Sequence, residues 1–185
     1  MKKTLSPRPW FFPRPVVLVT TRDNDDRDNV VTVSWAGVSC TTPPMVNISL
    51  RNSRHSHSVV MATREFVVNI PTSKQREAVE MCGTASGKDI DKFIAAGLSR
   101  LPASKVGAPL IAECPINLEC QVRHVLPLGS HDLFVAEIVK THAEHSVMRE
   151  DGRLDDRALD CIAWGSEEFF KVLTSSKHLL VPRFQ

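Results

Sequence analysis

Two stretches of this chain alternate apolar and small polar residues with a period of two. Val31 and Val33 alternate with Thr32 and Ser34, and Val46, Ile48 and Leu50 alternate with Asn47, Ser49 and Arg51. Successive side chains on a strand point to opposite faces, so each stretch buries one row and presents the other as hydrogen-bonding groups. The same criterion predicts six strands: Val16–Thr21, Val30–Trp35, Met45–Leu50, Glu65–Ile70, Ile116–Val125 and Asp132–His145. The last two form a hairpin through Pro127-Leu128-Gly129, and a turn holding Pro43-Pro44 and Cys40 joins the two polar-faced strands. Short helices are expected from Ser56, over Lys74–Cys82 and over Ile90–Ala96, the last two flanking a Ser86-Gly87 turn. Beyond a loop ending in Gly152, Cys161–Trp164 precedes a short helix capped by Ser166, with Glu167 and Glu168 in its first turn. The class is mainly β with α additions.

The arm from Pro7 to Pro15 carries Trp10, Phe11 and Phe12 and has too many prolines for a central strand or helix. It is expected to wrap over the body of the protein or across a second copy. No repeat or low-complexity segment interrupts the pattern, so one domain is expected over residues 1–185. Its arm covers about 1–15, and its C-terminal helix and tail about 165–185.

The second polar row runs into Arg54 and Ser56 at the start of the helix there. Arginine, a hydroxyl and the free N–H groups of a helix N-terminus are the parts that hold a phosphate. A solvent-facing strand shows the same alternation, and two such strands ending on Arg-x-Ser leave the two readings balanced.

Composition removes other classes. With 42% hydrophobic and 24% charged residues the chain is an ordinary globular one, and a net charge of +2 supplies no field for nucleic acid or an anionic membrane. The acidic cluster at Asp23, Asp25, Asp26 and Asp28 is offset by Arg22 and Arg27 and reads as a solvated hairpin loop. Neither a signal peptide nor a membrane-spanning helix fits the N-terminal stretch, which makes a cytoplasmic protein the expectation. The cysteines at 40, 82, 114, 120 and 161 match no disulfide framework or zinc spacing and are expected as free, buried thiols. The pairs His55/His57 and His142/His145 lack the remaining ligands of a metal site. A Gly-x-Ser-x-Gly elbow and a Gly-x-Gly-x-x-Gly turn are both missing, which removes the serine hydrolase and Rossmann readings.

The series Pro15–Thr21, Asn29–Trp35, Pro43-Pro44, Ser49-Leu50-Arg51, Arg54–His57, Glu65–Pro71, Ser86–Phe93, Ala108–Ile111, Glu113-Cys114-Pro115, Leu118-Glu119-Cys120 and Gly129–Asp132 resembles the flavin reductase-like family of FMN-binding split barrels. Within it, the flavoredoxin-type members are the most similar. The resemblance implies a Greek-key, six-stranded split β-barrel with flanking short helices, forming a homodimer whose interface contributes to the flavin site. It places Thr32, Val33, Ser34 and Trp35 along the isoalloxazine ring with Asn29 at the entrance. Ser49, Leu50 and Arg51 would meet the pyrimidine side and the ribityl chain, and Arg54, Ser56, His57 and Lys92 would hold the phosphate. His55 and His57 stand where the family has phenols, and the chain contains no tyrosine.

The function so implied is an FMN-binding oxidoreductase that takes electrons from NADH or NADPH, as a transient donor, or from a redox partner protein. A non-catalytic electron carrier or flavin-storage protein is the first alternative, and a barrel that has lost its flavin is the second. No side chain is assigned to catalysis, because hydride transfer is chemistry that the flavin carries.

Overall fold

The computed structural model describes residues 1–165 and 167–172. The alternating rows become strands β1 (Val17–Arg22), β2 (Asp28–Val33), β3 (Ala36–Thr41), β4 (Pro44–Arg51), β5 (Glu65–Ile70), β6 (Ile116–Pro127) and β7 (His131–Ala143). They form one antiparallel sheet in the order β2-β1-β5-β6-β7-β4-β3. All six expected strands are present, and β3 is a seventh, added at the edge beside β4.

The sheet rolls up because one row from each of six strands has to leave water. Val17 and Val19 of β1, Val31 and Val33 of β2, Val46, Ile48 and Leu50 of β4, Phe66 of β5, Cys120 of β6 and Phe134 of β7 share a single buried cluster. Strand β2, at one end of the hydrogen-bonded order, and β4, next to the other end, thus meet inside, which makes the sheet a barrel. Each fully buried side chain of this kind contributes roughly 1.5–3 kcal/mol, so the inward row sets the register. Two irregularities in the β6–β7 ladder, at Val135/Ala136 and Ile138/Lys140, supply local bending.

Outside the barrel, α2 (Arg76–Thr84) and α3 (Lys92–Ala95) cover β1 and β2. Leu18 and Val30 there join Ala78, Val79, Cys82 and Phe93 in a second cluster. That cover explains why β1 is buried on both faces. Helix α1 (His55–Thr63) follows β4 and sends Val60 into the barrel cluster.

Buried polar groups fix the long connection between α3 and β6. Glu119 is 0% exposed, yet it accepts hydrogen bonds from the Ser104 N–H and hydroxyl, the Lys105 and Val106 N–H groups and His142 Nε2, the last at 2.6 Å. Asn69 accepts from the Ile111 N–H at 3.0 Å and from Asn117 Nδ2 at 2.8 Å, and so pins the next part of the same segment.

Several sequence-based expectations change. Residues 36–41 are a strand and not a turn, so Cys40 lies on an exposed sheet edge, its thiol 3.4 Å from the Thr42 carbonyl oxygen. Over the described residues 167–172 the expected C-terminal helix is replaced by a bend and a short strand, and the rest of the expected helix and tail, residues 173–185, lies outside the described residues. β8 (Ile162–Trp164) pairs with Arg14–Pro15 on one side and with β9 (Phe169–Lys171) on the other. The aromatic Trp164–Phe169 packing stabilises that ladder; the cap assigned to Ser166 lies outside the described residues. The proline-rich arm forms no regular structure over residues 1–13 and leaves Trp10, Phe11 and Phe12 exposed rather than wrapped over the barrel. The acidic hairpin loop is as expected, with Arg27 paired to Asp23 and Asp25. All five cysteines are free, and Cys82, Cys114 and Cys120 are buried. No described helix is long and apolar enough to cross a membrane.

Burial pushes the Glu119 carboxyl up, but its hydrogen bonds from His142, Ser104 and Lys105 outweigh burial and hold it down to about 2. Because the unfolded value is about 4.3, this stabilisation is complete above that pH and is lost as pH falls toward 2. Glu119→Gln is expected to lower stability by about 3 kcal/mol near pH 7, measured by urea unfolding. The gap between variant and parent should then narrow steadily as the titration moves below about pH 4.

Candidate functional site

The barrel has a seam where β2 and β4 face each other without a ladder. The Ser49 N–H donates to the Trp35 carbonyl at 2.8 Å and closes one end. Toward Asn29 and Arg51 the strands part, and the edge of β2 faces a cleft there. The cleft has two connected chambers that share Val31, Arg51 and Arg54. The narrower, about 230 Å³, runs along residues 31–35 and 49–51 to His131. The wider, about 320 Å³, lies between Asn29, the start of α1, the Ser86-Gly87 turn and Lys92.

The wider chamber is built to receive an anion. Lys92 is 3% exposed, and its ammonium donates to the Cys82 carbonyl at 2.9 Å, which leaves two of its three N–H groups without an acceptor among the described residues. Among the described residues no carboxylate pairs with Lys92, Arg54 or Arg51. Burial pushes the Lys92 ammonium below its ordinary value; the Cys82 thiol opposes that shift and the Arg54 cation adds to it. Burial, and next the Lys88 cation, similarly push His55 down. Buried cations left without counter-charge are costly unless a ligand supplies it.

The neutral groups agree. Ser56, itself buried, accepts from Asn29 Nδ2 at 2.7 Å, so its hydroxyl proton is free to be donated elsewhere. Arg54, the N-cap of α1, makes no side-chain capping bond, and Arg54, His55 and Ser56 at the start of that helix all line the chamber. Asn29 Oδ1 is buried without a partner among the described residues, an acceptor suited to a ligand hydroxyl. Gly87 packs closely on Asn29: a Cβ there would lie 2.1 Å from Asn29 Oδ1, so a larger residue would have to displace that side chain. These donors, cations and the orphaned acceptor fit a phosphate joined to a polyhydroxylated chain.

In the narrower chamber the side chains of Val33 and Leu50 belong to the barrel interior. The Thr32 hydroxyl donates to the Val79 carbonyl of α2 at 2.6 Å and is therefore engaged. Trp35 stacks on His131, with ring centroids 4.5 Å apart at 26°. Burial, followed by the Arg51 cation, pushes the His131 imidazole down.

The structure brings Asn29, Thr32, Val33, Ser34, Trp35, Ser49, Leu50, Arg51, Arg54, Ser56 and Lys92 to this one cleft. His57 is not among them. Its Nε2 lies 2.8 Å from Asp132 Oδ2 and its ring packs edge-on to Phe134, so it ties α1 to β7. A helix turns about 100° per residue, and with Ser56 facing inward the two histidines diverge. His55, one residue earlier, borders the anion chamber instead. Ser53, Ser86, Gly87 and His131 also line the cleft without having been assigned to it. The Ser86-Gly87 and Gly129–Asp132 motifs were visible in the sequence, but no periodicity or charge pattern gave them roles.

Comparison with known proteins agrees with this geometry. An uncharacterized protein of Archaeoglobus fulgidus is 35% identical over 146 residues, 79% of this chain and 80% of its own length. The reductase component of a 4-nitrophenol 4-monooxygenase/4-nitrocatechol 2-monooxygenase from Rhodococcus opacus is 29% identical over 127 residues, 69% of this chain and 65% of its own. Among solved structures, the flavoredoxin of Desulfovibrio vulgaris (Miyazaki F) superimposes with a TM-score of 0.89 at 29% identity, covering 98% of this chain and 99% of that one. The model of the flavin reductase like domain matches residues 10–158, from the aromatic arm to the loop after β7. A split barrel with an anion-receiving seam and a family match over most of its length place this chain in the flavin reductase-like family.

Proposed function

We propose that the protein is an FMN-binding oxidoreductase of flavoredoxin type, which accepts electrons from NADH, NADPH or a redox partner and passes them on through its flavin. The observation that carries this reading is Lys92, almost fully buried and without a carboxylate partner, beside Arg54 and the Ser56 hydroxyl. When bound, FMN supplies two-electron and one-electron chemistry that no side chain here can perform. The chain's own work is binding, orientation and tuning. Lys92, Arg54, Ser56 and the α1 N-terminus hold the phosphate, Asn29 accepts from the ribityl chain, and the β2 edge with Ser49 and Arg51 borders the ring. His131, stacked on Trp35, closes that chamber on one side.

On this assignment the protein copurifies with FMN or titrates with it stoichiometrically, followed by visible absorbance. Arg54→Ala should weaken FMN about 10- to 100-fold while changing riboflavin, which lacks the phosphate, by about threefold or less. His57→Ala should lower thermal stability and leave the FMN-to-riboflavin preference unchanged, since His57 pairs with Asp132 outside the cleft.

The donor is a separate question. The chain has no glycine-rich dinucleotide turn, so a nicotinamide must stack on the flavin face left open by the cleft, with weak affinity. Stopped-flow mixing of anaerobic FMN-loaded protein with NADH and with NADPH should bleach the flavin absorbance at a rate that saturates poorly. If dithionite bleaches it and neither nucleotide does, the protein is an electron carrier.

The exposed Trp10-Phe11-Phe12 arm supports a homodimer in which the arm packs on the second copy. Light scattering at micromolar concentration is expected to give twice the 20.6 kDa chain mass. Deleting residues 1–12 should shift the protein toward monomer.

A further inference from the structure

Beyond the ring end of the cleft lies a larger cavity, about 580 Å³, between β2, α2 and the β8–β9 ladder. We propose that it is a subsite for a flat aromatic molecule that is neutral or positively charged. The purpose of the subsite rests on the flavin reading; its shape and charge do not.

The cavity borders Thr32 and Ser34, which also line the ring-end chamber, so an occupant would sit next to whatever lies along β2. Val16 and Val79 make its floor, and Trp164 and Phe169, packed edge-on with centroids 4.5 Å apart, make a wall. Gly83 on α2 faces Thr32 across the cavity lining, where an added Cβ would stand in van der Waals contact with the Thr32 Cβ at 3.4 Å. An aromatic and aliphatic lining of this kind accommodates ring systems, and the volume falls within the range of small-molecule sites.

Charge at the rim selects among such ring systems. Arg76, the one cation lining the cavity, is held by Glu80 at 3.1 Å, whereas Glu167 and Glu168 have no ion-pair partner among the described residues. The mouth is therefore net negative. It favours ammonium-bearing or uncharged rings and repels carboxylates, sulfonates and the diphosphate of a dinucleotide. A nicotinamide donor is thus directed to the open face of the cleft, and this cavity is left for the second substrate.

Calorimetric titration of the FMN-loaded protein with 2-naphthylmethylammonium, 2-naphthalenemethanol and 2-naphthoate tests this. The cation should bind more tightly than the alcohol, and the alcohol more tightly than the carboxylate, by about tenfold at each step. The Glu167→Gln/Glu168→Gln double variant, altered only at exposed positions, should compress the cation-to-anion ratio to about threefold while leaving the alcohol unchanged. Trp164→Leu should weaken all three. Absence of binding by all three probes, equal affinities, or a ratio unchanged in the double variant would overturn the proposal. FMN affinity is measured separately by absorbance. A protein that binds FMN but none of the probes loses the subsite alone. One that binds the probes in the expected order, flavin-free, keeps the subsite and loses the flavin reading.

Discussion

The seam between β2 and β4 is the constraint on which the rest of the structure depends. Six strands have enough apolar surface to roll the sheet into a barrel, but the ladder between its first and last members is not completed. A single main-chain bond, from Ser49 to Trp35, holds one end of the seam. Below it, backbone groups on the β2 edge face a groove rather than a neighbouring strand. Unpaired edge groups are a liability in a sheet unless something covers them. Here the helices, the Ser86-Gly87 turn and a ligand share that task, and the groove acquires a fixed width because both its walls belong to one packed interior.

Electrostatics then decide what the groove holds. A lysine at 3% exposure beside an arginine, with no carboxylate in reach among the described residues, is an arrangement that folding alone does not favour. Glu119 shows the opposite solution to the same problem. It is equally buried, but it is surrounded by five donors from a single loop and His142, so its charge is satisfied within the chain. One buried charge completes the fold, and the other leaves a valence for a ligand.

The strands were legible because their inward rows are almost pure Val, Ile, Leu and Phe, and burial tolerates little else. β3 was not legible. Ala36, Gly37, Ser39, Cys40 and Thr41 are small and none is buried, and only pairing to β4 makes them a strand. The C-terminal stretch failed for a different reason. Glu167 and Glu168 imitate a helix start, while the tertiary contact of Phe169 with Trp164 draws the following residues into a ladder. At the site, Arg54 and Ser56 could be read from the helix-start pattern, and Lys92 only from the family motif. His57 was assigned from the resemblance, and helical phase, which depends on how α1 docks, turns it toward Asp132 and leaves His55 bordering the chamber.

Helix α2 joins regions that are far apart along the chain. Its Val79 carbonyl receives the Thr32 hydroxyl at the ring end of the cleft, and its Cys82 carbonyl receives the Lys92 ammonium at the anion end. Val79 and Gly83 also line the larger cavity. One short helix is therefore a common lever for three compartments. Should ligands occupy both ends, any influence that this helix carries from one to the other would be returned in equal measure, because binding linkage is reciprocal.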